Sequence, residues 1–300
     1  MDDAPGAERA AVDAVGEGSD AHVERLREYY EDSWFDYRFL WLDPRTRAMH
    51  FGYHDGTSAT RRHADALLAL NAAMADRVAL QPGEQVLDAG CGVGGTAFWL
   101  TERHDADVLG INMVADHVDR ARRYTLERGL GDRPRFRVAD FCATGLPDAS
   151  FDVVWATESA CHAPDKQAFV DEVWRVLRPG GRLVMAEYVV FDDQAPSDAV
   201  SRWESAWEMH LATRSEWLAA FDRAGLSGAV VDDVTAQVEP SLRRLRRLCR
   251  TLGPLAGALH LVGVRTAAQQ RNIAGSNAMW EARRAGSWFY AIMTVTKPGP

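Results

Sequence analysis

The sequence predicts an α/β fold with a doubly wound, mostly parallel sheet of seven strands and an added helical cap. Between residues 85 and 190, short apolar runs alternate with helical patterns, which is typical of parallel strands joined by crossover helices. After Asp192 this alternation stops, and long helical patterns separate the last two strands. With 300 residues, 47% of them hydrophobic, the chain is long enough for one enlarged domain with a large core.

Composition divides the chain into four predicted parts. Residues 1–20 are rich in Ala, Gly, Asp and Glu, so we expect a disordered leader, because few apolar groups can offset the entropy of ordering. Residues 21–60 form an expected aromatic cap or lid, since the thirteen residues from Tyr29 to Trp41 include seven aromatic ones. Residues 61–192 are the predicted ligand-binding core. Residues 193–300 supply its last strands and helical insertions that we expect to bind an acceptor.

Periodicity assigns the elements of the core in order. An apolar stripe of helical spacing between Arg62 and Leu80 leads into the first strand. Strands are predicted at residues 85–88, 106–112, 135–140, 151–158, 182–190, 229–234 and 288–296. Helices are predicted from about residue 96 and at 115–128, 165–177, 199–210 and 215–224, and a long helical insertion at about 240–284. Four polar residues fall at the carboxyl ends of strands, where an open α/β sheet binds its ligand: Asp88, Asn112, Asp140 and Glu158.

The stretch from Val86 to Gly95 reads as a strand, a tight turn and the start of a helix. Its strand ends in Asp88, and glycines follow at the alternate positions 90, 92 and 94. Such a turn opens onto a nucleotide, because glycine backbone approaches a ligand closely. The residues also satisfy a dinucleotide fingerprint through Gly90, Gly92 and Gly95, so the glycines alone do not separate a nicotinamide or flavin site from an S-adenosylmethionine site.

Three neighbouring features favour S-adenosylmethionine. Asp88 would repel a pyrophosphate but can accept a hydrogen bond from the ammonium of a methionine moiety. The next strand ends in Asn112 instead of the carboxylate that binds the ribose of NAD. A second glycine turn, Arg178–Gly181, joins a helix to a strand, which a dehydrogenase does not require.

Charge and cysteine usage restrict the class of protein. A net charge of −9 and a pI near 5.5 argue against a general nucleic-acid binder, which needs a basic surface. The four cysteines are scattered without metal-ligand spacing, so we expect reduced thiols and no metal. No apolar run reaches the ~18–20 residues of a membrane span, and the acidic N-terminus does not resemble a signal peptide. We therefore expect a cytoplasmic protein. The sequence is compatible with a monomer and with a homo-oligomer.

The chain resembles the class I S-adenosylmethionine-dependent methyltransferases, which have a Rossmann-like fold, over nearly its whole length after residue 20. The residues that carry the resemblance are Asp88–Gly95, Asp140 with Phe141, and Leu177–Leu183. The segment Glu158-Ser-Ala-Cys-His-Ala-Pro-Asp-Lys166 is similar to segments of tocopherol methyltransferases and of the C-methyltransferases that modify sterol side chains. The aromatic residues at 29–36 and 50–53 resemble the N-terminal segments of the same group.

The resemblance implies roles in binding the cofactor. Asp88 and the turn of Gly90, Cys91, Gly92 and Gly94 would hold the methionine part. Asn112, with Met113 beside it, would bind the ribose, and His117 stands where related enzymes have a second polar ribose contact. Asp140 and Phe141 would contact the adenine. For Asp140, a turn cap before Cys142 is the structural alternative.

Glu158 is the predicted catalytic base, and His162 is either a second base or the partner that orients Glu158. If the acceptor is an alkene carbon, its attack on the methyl group leaves a carbocation, which aromatic faces can stabilise. A base then completes the reaction by removing a proton. If the acceptor is a hydroxyl or an amine, the same residues would remove or steer its proton. As structural alternatives, Glu158 caps its loop or binds the cofactor's ammonium, and His162 is a structural hydrogen-bonding residue.

The aromatic cap is expected to contact an apolar acceptor as well as to pack on the core. We predict acceptor-binding residues in this segment and in the first helical insertion: Tyr30, Trp34, His50, Tyr53 and Trp207.

The segment from Leu242 to Leu252 places its leucines on one helical stripe and five arginines on the rest. Those arginines form either a solvated face or a clamp for an anionic acceptor such as a prenyl diphosphate.

The leading functional prediction is S-adenosylmethionine-dependent methylation of an apolar small molecule in secondary metabolism, with C-methylation of an isoprenoid or other olefin as its most concrete form. The alternative is O- or N-methylation of a natural product such as a macrolide, sugar or alkaloid, because fold does not fix the acceptor. A third reading is a protein that binds the cofactor without methylating and promotes a cyclisation.

Overall fold

A computed structural model describes residues 17–60, 62–193 and 197–299. The helices are α1 (Glu17–Asp36, followed by a π-helical turn, Tyr37–Trp41), α2 (His63–Arg77), α3 (Gly95–His104), α4 (Ala115–Arg128), α5 (Lys166–Val176), α6 (Asp198–Trp207), α7 (Arg214–Arg223), α8 (Thr235–Leu261) and α9 (Ala267–Arg284). The strands are β1 (Gln85–Ala89), β2 (Asp107–Asn112), β3 (Arg135–Val138), β4 (Phe151–Thr157), β5 (Leu177–Val190), β6 (Ala212–Thr213), β7 (Ser227–Asp233) and β8 (Trp288–Thr296).

The sheet has the order β3-β2-β1-β4-β5-β8-β7. Its first five strands are parallel to one another, and β8 runs antiparallel between β5 and β7. The predicted α/β fold with a mostly parallel seven-stranded sheet is therefore confirmed. The two-residue strand β6 pairs with β5 and was not predicted, because two residues are too short to show a strand period.

Two hydrophobic clusters cover the two faces of the sheet. Helices α5 and α7 pack on one face, where Phe169 and Trp217 are buried. Helices α2, α3, α4, α6, α8 and α9 contribute to the cluster on the other face, which includes the fully buried Trp203 and Trp288. Successive strand residues such as Val86 and Leu87 point to opposite clusters, so the central strands are apolar on both sides.

The structure corrects several predicted boundaries: the strand predicted from residue 182 begins at Leu177, and the helical insertion predicted from Pro240 begins at Thr235. The prediction of a disordered leader is wrong for Glu17–Asp20, which are helical in α1. The helix is anchored by Leu26 and Tyr29, which are buried six and nine residues after Asp20. Residues 1–16 lie outside the described residues. The strand predicted to reach Asp140 ends at Val138, because the Asp140 carboxylate accepts the Cys142 N–H at 2.8 Å and closes a turn.

Within the described ranges, none of the helices is both long and apolar enough to cross a membrane. The four cysteines carry free thiols, with Cys91 and Cys161 buried and Cys142 and Cys249 half-buried.

Candidate active site

Two cavities adjoin at the carboxyl edge of the sheet. The first, of about 120 Å³, lies over the ends of β1, β2 and β4 and is covered by α1 and by residues 47–50. The second, of about 240 Å³, lies between the π-helical turn, α8 and α9. Five residues line both cavities and so mark the boundary between them: Tyr37, Met49, Glu158, Tyr188 and Trp207.

The glycine turn after β1 forms part of the wall of the first cavity. Gly90 has a φ of +92°, and a Cβ atom at this position would lie 2.3 Å from the Cβ of Ser159, so only glycine fits. A Cβ atom on Gly95 would lie 2.5 Å from the carbonyl oxygen of Arg47. Gly90, Cys91 and Gly92 line the cavity as predicted, but Gly94 does not: it is the N-cap of α3, and Gly95 lines the wall instead.

Asp88 contributes a buried carboxylate to the first cavity. Its Oδ2 atom is buried and has no hydrogen-bond partner among the residues that the structure describes. Burial raises the pKa of Asp88 to about 7. A buried polar atom without a partner is costly, so this carboxylate suits a cationic ligand group that would complete its hydrogen bonding.

The remaining residues predicted to bind the cofactor divide into two sets. Four of them line the first cavity: Asn112, Met113, His117 and Phe141. The Asn112 amide oxygen accepts the Val114 N–H at 2.8 Å, which orients the side chain. Burial lowers the pKa of His117 to about 4, so its ring is neutral, and its Nε2 has no hydrogen-bond partner in the described part of the chain. Asp140 does not line the cavity; its carboxylate caps the turn before Cys142, as the structural alternative proposed.

Glu158 follows β4 in a left-handed conformation, with a φ of 51°. Three groups donate hydrogen bonds to its carboxylate: the Phe51 N–H at 2.7 Å, the Tyr188 hydroxyl at 2.5 Å and the Tyr290 hydroxyl at 2.7 Å. Burial raises the pKa of Glu158 to about 7, although the three hydrogen bonds act in the opposite direction. The group is therefore a carboxylate that can exchange a proton near neutral pH.

Tyr188 and Tyr290 are functional candidates that the sequence did not reveal. They lie directly opposite each other on the antiparallel strands β5 and β8, with ring centroids 5.4 Å apart. Both hydroxyls reach Glu158 because of this register. The only local signal was a tyrosine inside each buried strand, since a buried hydroxyl requires a partner.

His162 does not orient Glu158. Its Nδ1 lies 3.0 Å from the Glu208 carbonyl oxygen and its Nε2 lies 3.0 Å from the Tyr30 hydroxyl, so both ring nitrogens have other partners. Burial lowers the pKa of His162 to about 4, which keeps the ring neutral. The residue lines the first cavity but not the second, and its contacts fit the structural alternative.

Two ionisable side chains, the buried Glu187 and the half-buried Lys166, hold the loop between Glu158 and Ala163. Glu187 Oε1 accepts the N–H groups of Ser159 at 2.9 Å and Ala160 at 2.7 Å. From the other side, the Lys166 ammonium donates to the carbonyl oxygens of Ala160 and Ala163, each at 2.7 Å. The loop that carries Glu158 is thereby fixed at both its N–H and its carbonyl groups.

The predicted acceptor-binding residues are only partly brought together. Tyr30 and His50 line the first cavity, and Trp207 lines both. Trp34 lines neither, because its ring packs under the Arg120 guanidinium at 4.1 Å and against His117. Tyr53 also lines neither: its N–H donates to the Ala66 carbonyl oxygen, and its ring packs on the hydrophobic core.

The second cavity is apolar over most of its wall. The predicted leucine stripe of α8 contributes Leu245, Leu248 and Leu252, and α9 contributes Ile273. At one side, the Arg265 guanidinium forms a bidentate ion pair with Asp36, at 2.9 and 2.7 Å, with both side chains almost fully buried. Arg265 is thus already paired with an acidic side chain.

The arginine-rich face of α8 is separate from both cavities. Arg244 and Arg247 line an outer groove together with His54 and His63. Arg243 pairs with Glu239, and Arg246 donates to Asn277. Over the described part of the chain, no group of three or more His, Cys, Asp or Glu side chains is arranged to hold a metal ion.

Comparison with known proteins decides the family. Residues 87–185 match a family described as a methyltransferase domain. The methyltransferase GfsG of Streptomyces halstedii is 33% identical over 225 residues, which cover 74% of this chain and 80% of that protein. The 27-O-demethylrifamycin SV methyltransferase of Amycolatopsis mediterranei is 31% identical over 230 residues, which cover 76% and 78%. This chain belongs to the S-adenosylmethionine-dependent methyltransferases.

The subgroup resemblance of this methyltransferase is also confirmed. Its relatives include the tocopherol O-methyltransferase of Arabidopsis thaliana, 29% identical over 65% of this chain and 58% of that protein. A sterol 24-C-methyltransferase of Yarrowia lipolytica is 36% identical over 52% of this chain and 40% of that protein. The fold matches that of a geranyl diphosphate methyltransferase in complex with GPP and sinefungin, with a TM-score of 0.75 and 22% identity over 92% of this chain and 99% of that one.

S-adenosylmethionine is the cofactor of this methyltransferase. The first cavity fits it, because it combines an unpartnered buried carboxylate oxygen on Asp88 with a glycine wall that admits no side chain at Gly90. Asn112, His117 and Phe141 supply an amide, an unpartnered ring nitrogen and an aromatic face on the same wall.

Proposed function

We propose that this methyltransferase transfers a methyl group to a carbon of an uncharged, apolar small molecule held in the second cavity, with Glu158 as the base. The observation that carries the proposal is the position of Glu158 and Tyr188 on the boundary between the two cavities. A group at that boundary faces both the cofactor side and the acceptor side, which is where a reacting atom would lie.

The wall of the second cavity supports an uncharged acceptor. Its charged residues within the described ranges are Asp36, Glu158 and Arg265, and Arg265 is held in a bidentate pair by Asp36. A diphosphate would need unpaired cations to offset its desolvation. Among the arginines of α8, Arg244 and Arg247 line the outer groove instead, and neither lines the second cavity. The clamp for a prenyl diphosphate is therefore disfavoured.

Bound S-adenosylmethionine supplies a methyl group that is already activated by the sulfonium charge. The residues of the protein then have to exclude water, align the acceptor and remove a proton. Tyr37, Tyr188 and Trp207 line the boundary, and Trp41 and Phe51 line the second cavity. Their aromatic rings suit a carbocation formed by methylating an alkene. Glu158 would take the proton from the carbon beside that cation. Burial raises the pKa of Glu158 to about 7 although its carboxylate accepts three hydrogen bonds, so it is a stronger base than an exposed carboxylate. The proton beside a carbocation is acidic enough for such a base to remove.

O-methylation of a natural-product hydroxyl is the second candidate, and one relative that covers most of the chain favours it. This relative acts on 27-O-demethylrifamycin SV, as its name states, and aligns over 76% of this chain. In that case Glu158 would accept the hydroxyl proton at the same boundary. Locating the new methyl group in the product by NMR distinguishes the two candidates.

Substituting the base tests the proposal. Glu158→Gln keeps the shape of the residue but cannot accept a proton, so turnover should fall by about 10²- to 10⁴-fold while S-adenosylhomocysteine still binds. Turnover is measured with methyl-labelled cofactor on an acceptor found by screening sterols, prenyl alcohols, macrolactones and alkaloids by mass. Glu127→Gln, an exposed carboxylate on α4, is the matched control and should keep full activity. Full turnover in Glu158→Gln would remove Glu158 from the mechanism.

A further inference from the structure

The hairpin of α8 and α9 carries an exposed apolar tip, defined here as residues 255–264. Four large apolar side chains of the tip are mostly exposed: Leu255 at 61%, Leu261 at 87%, Val262 at 72% and Val264 at 68%. They are close neighbours in the sequence, at the end of α8 and in the loop that precedes α9. Clustered exposure of this kind marks an interaction surface more often than scattered single residues do.

The tip belongs to a segment with an unusual charge. Residues 240–280 contain seven arginines and no Asp, Glu or Lys, although the whole chain has a net charge of −9. Arg243, Arg247 and Arg250 are exposed and lie three or four positions apart, so they share one face of α8. Continuing at the same spacing, this face passes through Pro254 and Ala258 to Leu261 and Val262. One side of the helix is therefore basic in its first half and apolar at its end.

The mouth of the acceptor cavity opens beside this tip. Leu252 and Leu255 line the second cavity and are also exposed, as is Phe35 at the end of α1. An apolar acceptor entering the cavity would therefore pass next to the exposed tip. The acceptor route and the apolar surface are continuous.

We propose that the α8–α9 tip docks on the surface of an anionic lipid bilayer and takes up its apolar acceptor from there. The exposed apolar side chains insert among the lipids, and Arg243, Arg247 and Arg250 contact the anionic headgroups, so apolar insertion and electrostatic attraction act together. An apolar acceptor concentrates in lipid, so docking at the cavity mouth shortens its path through water. The source of the acceptor rests on the proposed function, whereas the docking itself does not.

Vesicle sedimentation tests the docking without any acceptor or turnover, so failure of the proposed chemistry would leave its result unaffected. The full-length protein is mixed with vesicles of phosphatidylglycerol and phosphatidylcholine in equal amounts, or of phosphatidylcholine alone. The wild type should sediment with the anionic vesicles and much less with the neutral ones, and added salt should weaken binding. Absence of binding to anionic vesicles would overturn the proposal.

Two sets of variants assign the binding to the tip and to the arginines. Replacing Leu261, Val262 and Val264 together by serine should weaken vesicle binding at least tenfold, whereas Leu126→Ser, an equally exposed leucine on α4, should not change it. Replacing Arg247 and Arg250 together by glutamine should weaken binding to anionic vesicles about thirtyfold. Arg123→Gln on α4 is the control for lost charge.

Folding and self-association are checked on the same samples. The replaced side chains are exposed, so all variants should keep the wild-type Tm and affinity for S-adenosylhomocysteine. Wild-type binding by the serine variant would contradict the proposal. The oligomeric state is also measured without vesicles. A wild type that is a dimer and a serine variant that is a monomer would contradict the proposal as well, because the tip would then be an interface between two copies of the chain.

Discussion

The buried carboxylate of Asp88 makes a quantitative prediction about cofactor binding. Burial raises its pKa to about 7, so in the free protein about half of the groups are protonated at neutral pH. The ammonium group of the cofactor requires the carboxylate form, so binding below that pKa must release a proton. The affinity for cofactor should therefore fall about tenfold for each pH unit below about pH 7 and level off above it.

Isothermal titration calorimetry with S-adenosylhomocysteine measures this coupling between cofactor binding and proton release. S-adenosylhomocysteine is used because it lacks the sulfonium charge, which would also favour deprotonation of Glu158. Near pH 6, titrations in two buffers of different ionisation enthalpy should show close to one proton released per molecule bound. Asp88→Asn should abolish the pH slope and weaken binding by about 1.5–3 kcal/mol at pH 8, the usual contribution of a hydrogen bond to a charged group.

Glu158→Gln is the control for this experiment, because burial also raises the pKa of Glu158 to about 7. That variant should keep the wild-type pH slope of cofactor affinity. Affinity that does not change between about pH 6 and about pH 8 in the wild type, or a slope that survives in Asp88→Asn, would refute the assignment of Asp88 to the cofactor ammonium.

Three further predictions concern the neighbourhood of the two cavities. Tyr290→Phe removes a hydrogen bond that lowers the pKa of Glu158, so that pKa should rise. The acid limb of the pH–turnover profile should then move to higher pH by about one to two units, and an unchanged acid limb would contradict this prediction. Arg265→Ala leaves the buried Asp36 carboxylate unpaired and should lower the free energy of unfolding in urea by about 3–5 kcal/mol; a loss under about 1 kcal/mol would show that the pair is unimportant. Ala256→Phe fills part of the second cavity and should raise the KM for acceptor without changing cofactor affinity, and equal loss of both would argue against separate sites.

The parts of the site that lie close together in the sequence were predictable. Asp88 and the glycine turn are neighbours in the sequence, and glycine has a direct conformational meaning at Gly90. The leucine stripe of α8 was also evident, because helical spacing alone puts Leu245, Leu248 and Leu252 on one face.

The parts that depend on pairing between distant strands were not predictable. Tyr188 and Tyr290 meet at Glu158 only through the register of β5 and β8, which the sequence of neither strand specifies. Similarly, the aromatic cap was predicted as a whole, but the sequence did not show which of its residues line a cavity and which pack elsewhere. Trp34 packs on Arg120 outside both cavities, whereas Tyr37, one helical turn later, lies on their boundary.

The most direct test of the proposed function is a matched pair of acceptors that differ only in charge. A prenyl alcohol and its diphosphate, together with uncharged sterols and macrolactones, are incubated with methyl-labelled cofactor, and the products are analysed by mass. An uncharged acceptor should become labelled, and the label should disappear in Glu158→Gln. Label in the diphosphate alone would contradict the assignment of an uncharged acceptor, and acceptor-dependent stabilisation without label in any product would favour a protein that binds its ligand without methylating it.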